Sequence, residues 1–123
     1  MQKHLKSYPK RGEIFVADLD PGYGHEMHKK RPVLIISNSA LNQVLPTVIT
    51  IPFSSIVPKF IGPDVVKIID LKIGLNKESA LIINQMRSID KSRLVKKIGT
   101  LSSRKQLEVD QALKLVLGLE PLE

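Results

Sequence analysis

A mainly antiparallel β fold, strongly bent or closed into a small barrel and ending in one longer α-helix, is the architecture expected of these 123 residues. Three observations lead there. Five or six short apolar, β-branched runs recur along the chain, each bounded by Gly, Pro, Asn or Asp. The stretches between them are too short for the crossovers that parallel strands need. A sustained helical period occurs only near the C-terminus. The length suits one domain with a core of its own.

The elements follow in order. Residues 1–10 are polar, basic and hold Pro9, the composition of a mobile arm, so the domain is expected over 11–120. Residues 13–19 are rich in Ile, Phe and Val and read as a strand. Asp20-Pro21-Gly22 is turn chemistry, because Pro presets φ and Gly permits positive φ. Residues 21–30 hold two glycines, two histidines, a glutamate and two lysines, which suits an exposed loop. Residues 32–37 form a continuous apolar run, as in a strand buried on both faces. Asn38 or Ser39 caps a short helix that Pro46 ends.

Residues 47–54 form the next strand. Pro52 inside it has no N–H to donate, so a bulge or an edge is expected there. A loop over 55–63 and a strand over 64–69 follow, then a turn at Gly74-Leu75-Asn76 and a strand over 79–86. Asp90 caps one helical turn through Leu94, and residues 95–100 make a last short strand. Ser103 and Gln106 fit a capping box. Val109, Ala112, Leu113, Val116 and Leu117 then lie on one helical face, which Gly118 terminates.

Composition removes several functions. There is no cysteine, hence no disulfide, thiolate metal site or thiol nucleophile, in keeping with a cytoplasmic protein. No run is long and apolar enough to span a membrane, and residues 1–11 lack the apolar core of a secretory signal. Net charge is +7, which favours an anionic partner. That charge is uneven: residues 32–58 carry none, whereas residues 59–105 hold eleven bases against four acids. Aromatics are only 4%, with no Trp.

The densest reactive stretch is Gly24-His25-Glu26-Met27-His28-Lys29-Lys30-Arg31. Arg31 stands directly before an apolar strand, which roots a guanidinium on a rigid element; an ordinary basic surface loop or a structural ion pair would place an arginine there equally well. His25 and His28 are three apart, not the spacing of a helical His-Glu-x-x-His zinc site, and no metal is expected. Ser54 and Ser55 end a strand, where a hydroxyl can donate to a phosphate, or merely face a loop; no Gly-x-Ser-x-Gly elbow surrounds them. The bases Lys91, Arg93, Lys96, Lys97, Arg104 and Lys105 suit phosphate binding or a solvated face.

Together these segments resemble the MazF/PemK family of toxins, endoribonucleases of toxin–antitoxin modules. The resemblance runs through Arg11-Gly-Glu-Ile-Phe-Val-Ala-Asp-Leu-Asp-Pro21, Gly24-His-Glu26, Lys30-Arg-Pro-Val-Leu-Ile-Ile-Ser37 and Pro46-Thr-Val-Ile-Thr-Ile-Pro52. It resumes at Asn84-Gln-Met-Arg-Ser-Ile-Asp-Lys-Ser-Arg-Leu94 and Lys97-Ile-Gly-Thr-Leu101. It implies a small SH3-like antiparallel barrel with a C-terminal helix, a homodimer, and a cognate antitoxin that blocks an RNA groove. It also implies cleavage of single-stranded RNA at short sequences with no metal or other cofactor. A 2′-hydroxyl attacks the neighbouring phosphate and leaves a 2′,3′-cyclic phosphate and a 5′-hydroxyl.

On that resemblance Arg31, Ser54 and His25 are the catalytic positions. Arg31 stabilises charge on the phosphate oxygens. Ser54 stands where many members have Thr. His25 is the side chain most easily poised for proton transfer near neutrality. Glu26, His28, Lys29, Lys30, Ser55, Gln85 and Arg87 are the RNA-binding positions. Two departures stand out: Asn84 where some members have a carboxylate, and Met27 where Gln is frequent. The competing expectation is a non-enzymatic toxin of the same barrel that grips a protein target such as DNA gyrase through its C-terminal helix. A third is a barrel that binds nucleic acid without cutting it.

Overall fold

The computed structural model describes residues 7–70 and 75–122. Seven strands and two helices run in the order β1 (Glu13–Asp18), β2 (Lys30–Ile35), α1 (Ser39–Val44), β3 (Thr47–Ser54), β4 (Val65–Asp70), β5 (Leu75–Ile82), β6 (Arg87–Asp90), β7 (Leu94–Thr100) and α2 (Ser103–Val116). Single 3₁₀ turns precede β6 and β7, at Ile83–Gln85 and Lys91–Arg93. Every strand pair is antiparallel. The expected fold class, mainly β and ending in a helix, is what the chain adopts.

Strand β3 organises the sheet. One side pairs with β2, and the other is shared between β6, along Thr47–Thr50, and β5, at Phe53 and Ser54. Strand β1 lies beyond β2 and β7 beyond β1, while β4 lies outside β5. The β1–β7 register shifts after Ile14 and again after Val16, and such bulges bend a strand pair.

The start of the charge-free run, at Val33–Ile35, now has a cause. Successive β2 side chains enter opposite clusters: Leu34 joins Ile14, Ile51, Phe53, Leu81 and Val109, while Val33 and Ile35 join Ala17, Leu19, Val48 and Ile89. A strand with both faces buried has no position left for a charge. Each fully buried Leu or Ile stabilises the fold by about 1.5–3 kcal/mol relative to exposure. Helix α2 lays Val109 and Ala112 on the first cluster, with Leu113 and Val116 partly buried beside them. Asn42 is the buried polar residue of α1; its amide donates to the carbonyls of Pro9 and Ser37, and its Oδ1 accepts from Ser37 Oγ. Pro9 is itself buried, so the expected arm is anchored at its end; residues 1–6 lie outside the described residues.

Several local expectations need correction. Strand β3 runs straight through Pro52, which pairs with Val33 in unbroken register. The interruption is in its neighbour instead: between Leu81 opposite Phe53 and Arg87 opposite Thr50, the chain makes the 3₁₀ turn. The strand expected over 79–86 therefore ends at Ile82, and Gln85 sits in a turn. Of the turn expected at 74–76, Gly74 lies outside the described residues, and Leu75 and Asn76 belong to β5.

Helix α2 is capped by Ser102, whose Oγ accepts from Lys105 N–H, rather than by Ser103. Gln106 does not reach back to close a capping box; its amide donates to Asp110. Gly118, at φ +74°, ends the helix as expected, with its N–H on Leu115 and that of Leu119 on Lys114.

Candidate active site

The β1–β2 loop and the end of β3 meet at one end of the sheet, because β2 runs antiparallel to both neighbours. Arg31 is the second residue of β2. Its Nε donates to the carbonyl of His28, 2.9 Å away in the loop. Its Nη1 donates to the carbonyl of Phe53, 3.1 Å away on β3. Two carbonyls from different segments thus fix the guanidinium plane, and Nη2 has no acceptor among the described residues. A guanidinium carries five N–H donors, so charge and most of the donors stay available to a ligand. Arg31 makes no ion pair among the described residues.

Ser54 follows Phe53 directly, so the structure brings it to the same strand end. Its hydroxyl lies in a tight local turn, donating to the Ile56 carbonyl and accepting from the Ile56 N–H, each at 3.1 Å. Ser55 is exposed beside it.

The loop itself is tied down at several points. Asp20 Oδ1 accepts from the N–H of Lys29, a residue at φ +70°, and lies 3.4 Å from His28 Nδ1. Glu26 is folded onto its own turn: Oε1 accepts from Tyr23 N–H, and its N–H donates to the Tyr23 carbonyl. Gln85 reaches in from the 3₁₀ turn and bonds the loop backbone at His25 and Met27. The side chains of His25, Glu26, His28, Lys29 and Lys30 all face solvent. Gly22 is required sterically, since a Cβ there would lie 2.6 Å from His28 Cβ. Arg87 lies on β6 opposite Thr50, and its Nη1 is buried without a partner.

Reading the sequence missed two supports of this loop. Arg93 Nη1 donates to the carbonyls of both Asp18 and Asp20, closing the loop at its base. The Asp20 carboxylate is the other. Arg93 had appeared only as part of a basic run, and that run is not one surface: Lys97 pairs with Glu13 and Lys105 with Glu108. Its position three residues after the Asp90 cap was the available signal, but a cap says nothing about where a following side chain points. Among the described residues, no three His, Asp or Glu side chains converge into a metal site.

Comparison with known proteins resolves the family. The model of the PemK-like, MazF-like toxins of type II toxin–antitoxin systems matches residues 10–117. The chain belongs to that family. Among relatives, it is 41% identical over 110 residues to the endoribonuclease MazF of Staphylococcus epidermidis, covering 89% of this chain and 92% of that protein. A crystal structure of MazF from Deinococcus radiodurans matches with a TM-score of 0.79 at 25% identity, covering 91% of this chain and 98% of that one. An endoribonuclease from a mycobacterial species, solved with its cognate antitoxin, shares the fold at a TM-score of 0.74 and 21% identity, over 92% and 98% of the two chains. Arg31, held between His28 and Phe53, lies within the matched residues. Among the described residues, no helix is long and apolar enough to cross a membrane.

Proposed function

We propose that this chain is a cytoplasmic, sequence-selective endoribonuclease toxin that cuts single-stranded RNA and is restrained by a cognate antitoxin. The carrying observation is Arg31, oriented by two carbonyls with Nη2 unsatisfied. As the RNA 2′-oxygen bonds to phosphorus and the bond to the 5′-oxygen breaks, negative charge concentrates on the non-bridging oxygens. A donor already aimed at them avoids the reorganisation that water would need. The guanidinium stays charged throughout. Ser54 exchanges its bond to the Ile56 carbonyl for a phosphate oxygen. His25, exposed on the loop, takes the 2′-hydroxyl proton, and the departing 5′-oxygen takes a proton from water. The products are a 2′,3′-cyclic phosphate and a 5′-hydroxyl, with no metal ion in the scheme.

Lys29, Lys30 and His28 approach the phosphate backbone, while Glu26, Ser55 and Arg87 meet bases or phosphates at the rim. Homodimerisation is supported by apolar side chains that the charge-free block leaves on the surface, with Val44 73% and Leu41 52% exposed. An acidic, partly apolar antitoxin segment suits the +7 charge and a groove of about 800 Å³ floored by Tyr8, Phe15, Leu45 and Leu94, with Lys10 and Lys91 on its wall.

The test is incubation of a long single-stranded RNA with the protein in EDTA, followed by end analysis. Fragments with 5′-hydroxyl and cyclic phosphate ends support the mechanism, and 5′-phosphate ends overturn it. Intact RNA together with retained gyrase would return the reading to a protein-binding toxin.

A further inference from the structure

We infer that Gln85 is a positioning residue for Arg31, acting through the β1–β2 loop rather than by touching RNA; the inference rests on the ribonuclease reading above. Its side-chain amide is engaged at both ends. Oε1 accepts from Met27 N–H at 3.1 Å, and Nε2 donates to the His25 carbonyl at 3.1 Å. One planar group therefore grips the loop on either side of Glu26. These are the only bonds among the described residues that join loop residues 25–27 to the β5–β6 side of the sheet; the remaining bonds of Glu26 are local, to Tyr23.

The grip has a firm base. Gln85 ends the 3₁₀ turn that opens with Ile83, which is fully buried and donates its N–H to the Asp64 carbonyl at 2.8 Å. Met27 is followed by His28, whose carbonyl holds Arg31 Nε. The line of contact is thus Ile83, Gln85, Met27, His28 and Arg31. A shift of the loop moves an acceptor that orients the guanidinium, and small misplacements of a reacting group are costly in rate. A base-reading amide presents free donors and acceptors to the nucleotide. Gln85 has one of each already taken by backbone, and the residue is half-buried.

Two variants test this. Gln85→Leu removes both bonds, and Gln85→Glu keeps the acceptor for Met27 while losing the donor to His25. Amide exchange of Met27 and the Arg31 Nε–H, followed by NMR, is read alongside single-turnover cleavage. For Gln85→Leu we expect about tenfold faster Met27 exchange, a perturbed Arg31 Nε–H signal, and a kcat lower by about 10–100-fold with KM changed less than about threefold. Gln85→Glu should keep Met27 protected and fall between wild type and Gln85→Leu in kcat. A Gln85→Leu protein with raised KM, unchanged kcat and unchanged Met27 exchange would overturn the inference in favour of direct RNA contact. If the wild type cuts no RNA, the ribonuclease reading fails on its own, and unchanged Met27 exchange would still refute the clamp.

Discussion

Arg31 on β2 is tied to Phe53 on β3 by a bond from Nη1 to the main-chain carbonyl, 3.1 Å long, although 22 residues separate them. The anchor is backbone, so the identity of the Phe53 side chain, which is buried in the core, is decoupled from the orientation of the guanidinium.

Replacing Arg31 tests the charge and the fork separately. Arg31→Ala should lower the single-turnover cleavage rate by about 10³-fold or more, because an oriented donor to developing charge is worth about 10²–10³ and phosphate binding is lost with it. Arg31→Lys should recover little, since one ammonium cannot hold both carbonyls and still face the phosphate. Far-UV circular dichroism checks that both variants fold.

Gly22→Ala places a methyl group 2.6 Å from His28 Cβ. The loop must move to admit it, at a cost of about 1–3 kcal/mol. Because His28 also supplies the carbonyl for Arg31 Nε, cleavage should fall more than stability does. Urea unfolding and cleavage rates on the same preparation give the comparison.

Asn42→Ala removes the donors to Pro9 and Ser37 and the acceptor for Ser37 Oγ, all at a site 1% exposed. Leaving buried polar groups without partners costs about 1–3 kcal/mol each. A total loss of about 2–4 kcal/mol is expected from urea midpoints, with limited proteolysis cutting earlier near Pro9.

Asp110 predicts a pH dependence of stability. Partial burial alone would raise its pKa, but hydrogen bonds from Arg11 and Gln106 outweigh this and hold it below the ordinary value of 3.8. A carboxylate depressed in the folded state stabilises fully above its unfolded pKa, and that contribution is lost as pH falls through the folded value. Wild type should therefore exceed Asp110→Asn in stability by a constant margin from neutrality to about pH 5, and the margin should vanish progressively below about pH 4. Urea titrations across this range provide the measurement.

The helix cap separates two adjacent serines. Ser102→Ala should cost about 1 kcal/mol through loss of the bond to Lys105 N–H, and Ser103→Ala should cost little. Thermal melting distinguishes them.

The elements were legible wherever burial imposes a strict pattern. Strand β3 shows in the β-branched run from Thr47 to Ser54, α1 in its Asn38 cap and α2 in its apolar spacing. The parts that escaped depend on partners distant in the chain. Strand β6 contains a single buried apolar residue, Ile89, too few for a period-two signal. The break after Ile82 reflects the two successive neighbours of β3, which only the assembled sheet reveals. At the candidate site, Arg31, Ser54 and the histidine loop stood out by residue type. The bonds that orient them did not, because Gln85 and Arg93 bond to backbone atoms of the loop and Phe53 offers its own carbonyl, and a backbone partner leaves no signature in residue identity.

The loop bonds made by Gln85 and Arg93 span 58 to 75 residues of chain. Synthesis proceeds from the N-terminus, so a ribosome exposes the β1–β2 loop long before it releases Gln85 and Arg93. A nascent or truncated chain ending before residue 85 carries the loop and the two carbonyls that hold Arg31 without the side chains that tie the loop down from either side of β6. A loop laid down near the start of the chain thus gains its last ties only when the segments on either side of β6 are complete.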